Sequence, residues 1–171
     1  TRLAVDDLAR VAGIGPVRAV RLLAAVELGR RTLLHPPAPR PQLLTPKDAA
    51  AYLQPRHSAR AVEHFGLLLL DVRFRVIKTT LLSVGTADST TVHPRDVFRE
   101  AASGSASAVV LFHNHPSGDP TPSRDDLRLT ARLVRAGEVM GIEVVDHLIL
   151  ADHRYYSFRE AGVLPPLAGP G

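Results

Sequence analysis

The sequence predicts an α/β protein in which helices pack against a β-sheet, preceded by a short all-helical segment. Short apolar runs typical of buried strands alternate with stretches that repeat apolar residues at helical spacing. A proline-rich segment, residues 32–45, separates the first two predicted helices from this alternating pattern. With 171 residues, of which 45% are apolar and 22% charged, the chain suits one folded domain with a small appendage.

The first 31 residues are predicted to form two helices joined by a tight turn. Helical patterns cover Val5–Val11 and the stretch from Pro16 to about Arg31. Gly13 and Gly15 permit the turn between them, and Pro16 suits the first position of a helix. This pattern resembles the helix-hairpin-helix motif, a resemblance that covers residues 4–31.

Charge in the chain is concentrated at this end. Residues 1–45 hold seven arginines against three acidic residues, whereas residues 46–171 hold fourteen charges of each sign. Such asymmetry indicates a module with an anionic partner, and a merely solvated basic segment is the alternative. In helix-hairpin-helix proteins the hairpin amides and the start of the second helix hold a nucleic-acid phosphate without reading sequence. The resemblance therefore implies non-specific DNA contact through Gly13, Gly15, Arg18 and Arg21, the alternative being a helical pair that packs or binds protein.

The second domain is predicted to span residues 46–164, after the linker and before a disordered tail at residues 165–171. Four prolines within residues 32–45, followed directly by Pro46, make the linker stiff and extended. Thr45 to Asp48 has the pattern of a capping box and predicts a helix start. Strands are expected at residues 65–70, 75–84, 90–92, 108–112, 142–145 and 148–151, and helices at residues 94–102 and 123–140, with a last helical turn at 158–161.

Two histidines follow the buried strand at residues 108–112. His113 and His115 are two positions apart, so their side chains point to the same face of an extended chain. Catalytic zinc takes three protein ligands plus water, and imidazole nitrogen and carboxylate oxygen are common among them. The pair therefore supplies two of the three ligands that such a site requires.

The third ligand is sought among Asp119, Asp125 and Asp126, which follow the histidines. Ser123 is the natural N-cap of the next helix, because prolines and a glycine prevent an earlier start. Asp126 then occupies the third helical position, where a capping-box side chain turns back toward the entering loop, and Asp125 lies about 100° around the helix. We therefore prefer Asp126 as the ligand and assign Asp119 to hydrogen bonds behind the ligands.

These residues carry a resemblance to a known family. The spacing His-x-His, seven residues, Ser, two residues, Asp is the signature of the JAMM (MPN+) metallohydrolases, and the Pro-Ser-Gly-Asp-Pro-Thr-Pro-Ser version resembles the RadC branch. The resemblance covers residues 45–164, and RadC-like proteins also carry an N-terminal helix-hairpin-helix. It implies an α/β/α sandwich around a mixed, curved sheet like that of cytidine deaminases, with one Zn²⁺ per chain bound by His113, His115 and Asp126.

The resemblance also implies two catalytic residues. JAMM enzymes use a glutamate in a pattern like Glu-x-x-Gly before an apolar run, and Glu63 to Gly66 matches it. Glu63 would accept a proton from a water activated by zinc and return it to the leaving amine. Ser123 would donate a hydrogen bond to the developing oxyanion. Two other histidines are not assigned to the metal. His64 follows Glu63 and is expected to face the other way. His147 is expected to form a structural pair with Asp146 between two strands, and support of the metal ligands is the alternative.

The leading functional hypothesis is a zinc-dependent hydrolase that cleaves a peptide or isopeptide bond and is associated with DNA repair or other DNA transactions. A metal-dependent nuclease and a non-catalytic DNA-repair adaptor are the alternatives. One metal without a further carboxylate cluster argues against a two-metal nuclease, and an adaptor needs none of the five site residues. The chain has no cysteine, which excludes disulfides, thiolate metal sites and the zinc site of deaminases.

Two patterns that are absent from the sequence bear on the cellular location of the protein. No run approaches the roughly 18 consecutive apolar residues of a membrane span, and no signal-peptide pattern opens the chain. We therefore expect a cytoplasmic protein with no membrane partner. The sequence does not predict its oligomeric state.

Overall fold

The computed structural model describes residues 4–34, 39–85 and 92–164. The chain divides into two compact units, residues 1–39 and residues 40–171. Within the described residues no helix has the length and hydropathy to cross a membrane.

The first unit contains two helices, α1 at Val5–Ala9 and α2 at Pro16–Leu34. Gly13 lies between them at φ 86°, a conformation that glycine adopts without strain. Its carbonyl accepts a hydrogen bond of 2.8 Å from Nη1 of Arg18, which closes the turn onto α2. The predicted end of the second helix at Arg31 is three residues short, because Thr32, Leu33 and Leu34 continue it before the prolines begin.

The second unit is built around one five-stranded mixed sheet. Its elements in chain order are α3 (Pro46–His57), β1 (His64–Leu70), β2 (Val76–Val84), α4 (Pro94–Ser103), β3 (Ala108–Asn114), α5 (Arg124–Met140), β4 (Glu143–Ala151) and β5 (Arg154–Ser157). The strand order is β2-β1-β3-β4-β5, and only the pair β3–β4 is parallel. The parallel pair is connected through α5, as a crossover requires.

Helices cover both faces of the sheet, which confirms the predicted α/β/α arrangement. Residues of α3 pack on one face in a cluster with alternate residues of β1 and β3; this cluster includes Leu53, Leu68, Val110 and Phe112. Residues of α4 and α5 pack on the other face with the intervening residues of the same strands; that cluster includes Phe98, Leu133, Leu67 and Leu111. Every residue of β3 is buried, as a central strand between two helical layers requires.

Gly66 in β1 is required by close packing. A Cβ at this position would lie 2.4 Å from the ring of Phe112 and 2.7 Å from the carbonyl oxygen of Thr80. The glycine therefore lets the β3 aromatic side chain pack across β1. Close packing therefore explains why the last position of the Glu-x-x-Gly pattern is glycine.

The predicted linker is partly ordered by pairing with the second unit. Gln42 forms an isolated β-bridge with Arg75, and the N–H of Leu43 donates a 2.9 Å hydrogen bond to the carbonyl of Phe74. Residues 41–43 thus pair with the segment that enters β2.

Two local predictions are wrong, and one strand was not predicted. The two strands expected at residues 142–145 and 148–151 are one strand, β4, because an irregularity opposite Val109 and Val110 lets it continue through Asp146 and His147. The edge strand β5 was not predicted, since its four residues show little apolar alternation. Residues 158–161 form hydrogen-bonded turns rather than a helix. The strand expected at residues 90–92 begins outside the described residues, and the tail at 165–171 lies wholly outside them.

Candidate metal centre

Two imidazoles converge at the end of β3. His113 lies on the α5 face of the sheet, in register with Phe65 of β1 and Ile149 of β4. The Nε2 atoms of His113 and His115 are 2.9 Å apart. Glu63 completes a group whose ligand atoms all lie within 4.8 Å of one another, so these three residues could hold a metal ion.

Asp126 reaches the same point from the start of α5. Its Oδ1 is 3.3 Å from Nε2 of His113, and its Oδ2 is 3.8 Å from Nε2 of His115. Ser123 is the N-cap, as predicted: its Oγ accepts from the N–H of Asp126, and its own N–H donates to Oδ2 at 2.7 Å. Asp125 instead forms an ion pair with Arg128 on the outside of the helix. Because the two residues point in different directions around the helix, the carboxylate of Asp126 is buried against the imidazoles and that of Asp125 is not.

Hydrogen bonds on the far side of each imidazole define which nitrogen faces the centre. Nδ1 of His115 donates to the carbonyl oxygen of Asp119 at 2.7 Å, because that oxygen can only accept. Its Nε2 then carries a lone pair when the ring is neutral. The carboxylate of Asp119, which the sequence assigned to hydrogen bonding behind the ligands, accepts instead from the N–H and hydroxyl of Thr121. The main chain of this residue, not its side chain, orients the histidine.

Burial favours neutral imidazoles at this site. It lowers the pKa of His113 from 6.5 to about 4, with His115 acting in the same direction and Asp126 opposing. Burial also lowers the pKa of His147, with further contributions from His113 and His115. Neutral imidazole is the form that binds a metal ion.

Asn114, between the two histidines, is a residue whose role the sequence did not predict. It points to the α3 face because neighbouring side chains of a strand alternate. Its Oδ1 accepts from the N–H of His64 at 2.8 Å, and its Nδ2 donates to the carbonyls of Val62 and Arg60 at 3.2 and 3.3 Å. These bonds hold the backbone on both sides of Glu63.

The pair Asp146–His147 separates into two roles. Asp146 accepts from the hydroxyl of Ser157 and from two backbone N–H groups, those of His147 and Arg159, and so ties β4 to the turn after β5. His147 points to the opposite face, where its Nε2 is 2.9 Å from Nδ1 of His113. The expected structural pair is therefore wrong for His147, which contacts a candidate ligand. Two adjacent polar residues between apolar ones in a buried strand were the sequence signal.

The loop between His115 and α5 is shaped by Gly118. Its φ is 78°, and a Cβ there would lie 2.9 Å from Oδ2 of Asp152. The carbonyl of Gly118 accepts a 2.5 Å hydrogen bond from Nη2 of Arg154. These contacts bind the loop to the β4–β5 turn and thereby place the carbonyl that orients His115.

The donor set suits a divalent metal ion. Two imidazole nitrogens and the buried carboxylate of Asp126 converge, and nitrogen and oxygen ligands of these kinds occur in catalytic metal sites. A divalent cation at this point would accept both nitrogen lone pairs and offset the negative charge of Asp126 in a buried site. The residues present therefore fit a divalent cation.

The residues assigned to DNA contact all belong to the first unit. Gly13, Gly15, Arg18 and Arg21 are exposed at the hairpin and on the first turns of α2. The residues of the candidate metal centre all belong to the second unit.

Comparison with known proteins gives the fold and site a family. The model of the RadC-like JAB domain matches residues 43–163. The chain belongs to the RadC-like JAB domain family. A UPF0758 protein of Desulforamulus reducens is 42% identical over 160 residues, which cover 94% of this chain and 70% of the relative. A UPF0758 protein of Caldanaerobacter subterraneus is 44% identical over 158 residues, covering 92% and 68%, and one of Methanococcoides burtonii is 39% identical over 160 residues, covering 94% and 70%.

Family and geometry agree at the coarse level. The RadC-like JAB match covers all of the second unit's site residues, and the structure brings a His/His/Glu group together there. Both support a metal-dependent, hydrolase-like domain. The relatives' name, UPF0758 protein, states no substrate.

Proposed function

We propose that the second unit is a zinc-dependent hydrolase that cleaves a peptide or isopeptide bond. The observation that carries this proposal is the convergence of the Nε2 atoms of His113 and His115 on the carboxylate of Asp126, with Glu63 beside them. Zinc bound by these two histidines and Asp126 would polarise a carbonyl and lower the pKa of a water molecule toward 7.

The two carboxylates are suited to different tasks. Asp126 is 3% exposed, and its Oδ2 is already bound to the N–H of Ser123, so it is held in place as a ligand would be. Glu63 is half-buried and immediately precedes β1, so it is more exposed than Asp126. We assign Glu63 as the general base that accepts the proton of the attacking water and returns it to the leaving amine.

Ser123 is assigned to the oxyanion. Its Oγ accepts from the N–H of Asp126, which leaves its own hydrogen for another acceptor. A hydroxyl held at the N-cap of α5, next to the carboxylate of Asp126, is positioned to stabilise charge that develops on a substrate carbonyl.

A hydrolysis screen of peptide, isopeptide and DNA substrates tests the proposal. We expect amide hydrolysis by the wild type and a loss of about 100-fold or more in Glu63→Gln, which keeps the shape of the side chain but not its basicity. Glu143→Gln is the matched control, because Glu143 is exposed at the start of β4. Hydrolysis of DNA alone, with the same dependence on Glu63, would contradict the peptidase assignment and support a nuclease.

We also propose that the first unit binds DNA without sequence preference and localises the hydrolase to DNA, in keeping with a role in DNA repair. The support is its concentration of arginine and the exposed hairpin before α2. Arg18 bonds to the hairpin carbonyl of Gly13, so Arg21 is the better residue for a direct phosphate contact.

A further inference from the structure

His147 lies directly behind a candidate metal ligand. It is fully buried in β4 on the face that β4 shares with His113, and its Nε2 is 2.9 Å from Nδ1 of His113. Its other nitrogen, Nδ1, is 2.6 Å from the hydroxyl of Thr130 in α5. The same hydroxyl is 2.6 Å from the carbonyl oxygen of Asp126.

The direction of each hydrogen bond in this chain follows from its last member. The carbonyl of Asp126 can only accept, so the single hydroxyl hydrogen of Thr130 is donated to it. The oxygen of Thr130 must then accept, and Nδ1 of His147 is its donor. With its hydrogen on Nδ1, neutral His147 carries a lone pair on Nε2 and accepts from Nδ1 of His113.

The ring of His147 is held in the orientation that this chain requires. It stacks on Phe158 with centroids 4.8 Å apart and an interplanar angle of 21°, and it meets Phe65 edge-on at 5.8 Å. A flip of the ring would exchange nitrogen for carbon at both hydrogen-bonding positions. Packing therefore fixes the plane of the ring, and the hydrogen bonds select between its two flipped orientations.

We propose that Thr130 and His147 form a relay that fixes His113 in the Nδ1–H tautomer and directs its Nε2 lone pair to the metal. Both are positioning residues, since neither reaches the centre where the ligand atoms converge. The inference rests on the proposed zinc site. Metal-binding histidines usually donate their second N–H to a carboxylate, a carbonyl or water, and loss of that partner typically weakens metal affinity about 10-fold to 100-fold. Here the partner is a second imidazole, whose own tautomer is fixed by a helix that also carries Asp126.

Matched pairs of variants of the full chain separate the relay from packing. Thr130→Val removes the hydroxyl and nearly keeps the shape, whereas Thr130→Ser keeps the hydroxyl. His147→Phe keeps an aromatic ring and removes the acceptor, whereas His147→Gln offers an amide oxygen close to the position of Nε2. The first of each pair breaks the relay and the second preserves it.

Two readouts apply to these variants. Imidazole ¹⁵N NMR of the metal-free protein reports the tautomer of His113, and titration with Zn²⁺ against a competing chelator reports affinity. We expect the Nδ1–H tautomer in the wild type, its loss as the sole form in Thr130→Val and His147→Phe, and zinc binding about 10-fold to 100-fold weaker in both. Thr130→Ser and His147→Gln are expected to restore the tautomer and most of the affinity.

The outcomes also separate this inference from the proposed function. Unchanged tautomer and zinc affinity in Thr130→Val and His147→Phe would overturn the relay and leave the zinc site standing. Equal loss of affinity in all four variants, with the tautomer unchanged, would assign His147 and Thr130 to packing and likewise overturn it. A wild type that binds no zinc would overturn the proposed function, and the NMR comparison would still decide whether the relay sets the tautomer.

Discussion

At the scale of single residues, the centre depends on which nitrogen each histidine turns inward. Acceptors lie behind both rings: the carbonyl of Asp119 behind His115, and Nε2 of His147 behind His113. Each ring therefore donates outward and offers Nε2 inward. We expect a pair of candidate ligands oriented in this way to bind a metal ion with little rearrangement, which is the usual benefit of ordered partners behind the ligands.

The same burial predicts how the stability of the metal-free protein depends on pH. The pKa of His113 is lowered from 6.5 to about 4, and that of His147 is also lowered. Between pH 6.5 and about pH 4, these histidines bind protons in the unfolded chain but not in the native protein. The free energy of unfolding therefore falls as the pH falls through this range. A shift of this size corresponds to about 3 kcal/mol for His113.

Urea denaturation of the chelator-treated protein at several pH values measures this effect. The raised pKa of Asp146 acts in the opposite direction, because its carboxylate is protonated more readily in the native state. His147→Phe removes one of the two imidazoles, so its stability should fall less steeply over the same range. Equal slopes for the two proteins, or stability that rises toward pH 4, would contradict the assignment of neutral buried histidines.

At the scale of elements, β3 contributes a side chain to the candidate site from each of its two faces. His113 points toward α5 and the metal centre, whereas Asn114 points toward α3 and holds the chain segment that carries Glu63. The antiparallel pairing of β1 with β3 brings that segment beside the histidines. One strand thus positions a candidate metal ligand and, through hydrogen bonds to the backbone, the proposed base.

Asn114→Ala tests this division. We expect kcat of the Glu63-dependent hydrolysis to fall about 10-fold to 100-fold, because a displacement of about 1 Å in a catalytic group has effects of this size. Zinc content should stay near one per chain, since Asn114 faces away from the ligands. Measurement of kcat and zinc content in Asn114→Ala and in the wild type checks both expectations. Unchanged kcat would remove the positioning role, and loss of zinc would show that Asn114 supports the ligands instead.

The sequence predicted those parts of the site that depend on local geometry. Ser123 as N-cap and the inward phase of Asp126 follow from helix rules that act within one turn. The contact of His147 with His113 depends on the register of β3 against β4, which includes an irregularity at Val109 and Val110. The hydrogen bonds of Asn114 depend on where the chain between α3 and β1 passes, 50 or more residues away in sequence. Neither register nor path is encoded in a short pattern.

At the scale of the whole molecule, charge distinguishes the two units. The first unit, residues 1–39, holds six arginines against three acidic residues and so carries a net charge of +3, whereas residues 40–171 carry a net charge of +1. The proposed hydrolase therefore carries little excess of positive charge of its own. An anionic partner such as DNA is expected to be attracted to the first unit, and its affinity should depend steeply on salt.

Arg21→Ala in the full chain tests the DNA contact. Loss of one phosphate contact should weaken binding of duplex DNA and reduce the slope of log affinity against log salt by about 0.9, regardless of DNA sequence. Fluorescence anisotropy at several salt concentrations measures both quantities. Arg73→Ala, an exposed arginine of the second unit, is the control and should leave the slope unchanged. Identical slopes for Arg21→Ala and the wild type would show that Arg21 makes no phosphate contact.

The zinc content of the purified full chain tests whether His113, His115 and Asp126 hold a metal ion. Elemental analysis should find about one zinc per chain in the wild type and a large loss in His115→Ala, which removes one of the two converging nitrogens. His153→Ala, an exposed histidine in the turn between β4 and β5, should retain the wild-type content. A wild type without stoichiometric metal, or a His115→Ala variant with undiminished metal, would contradict the account.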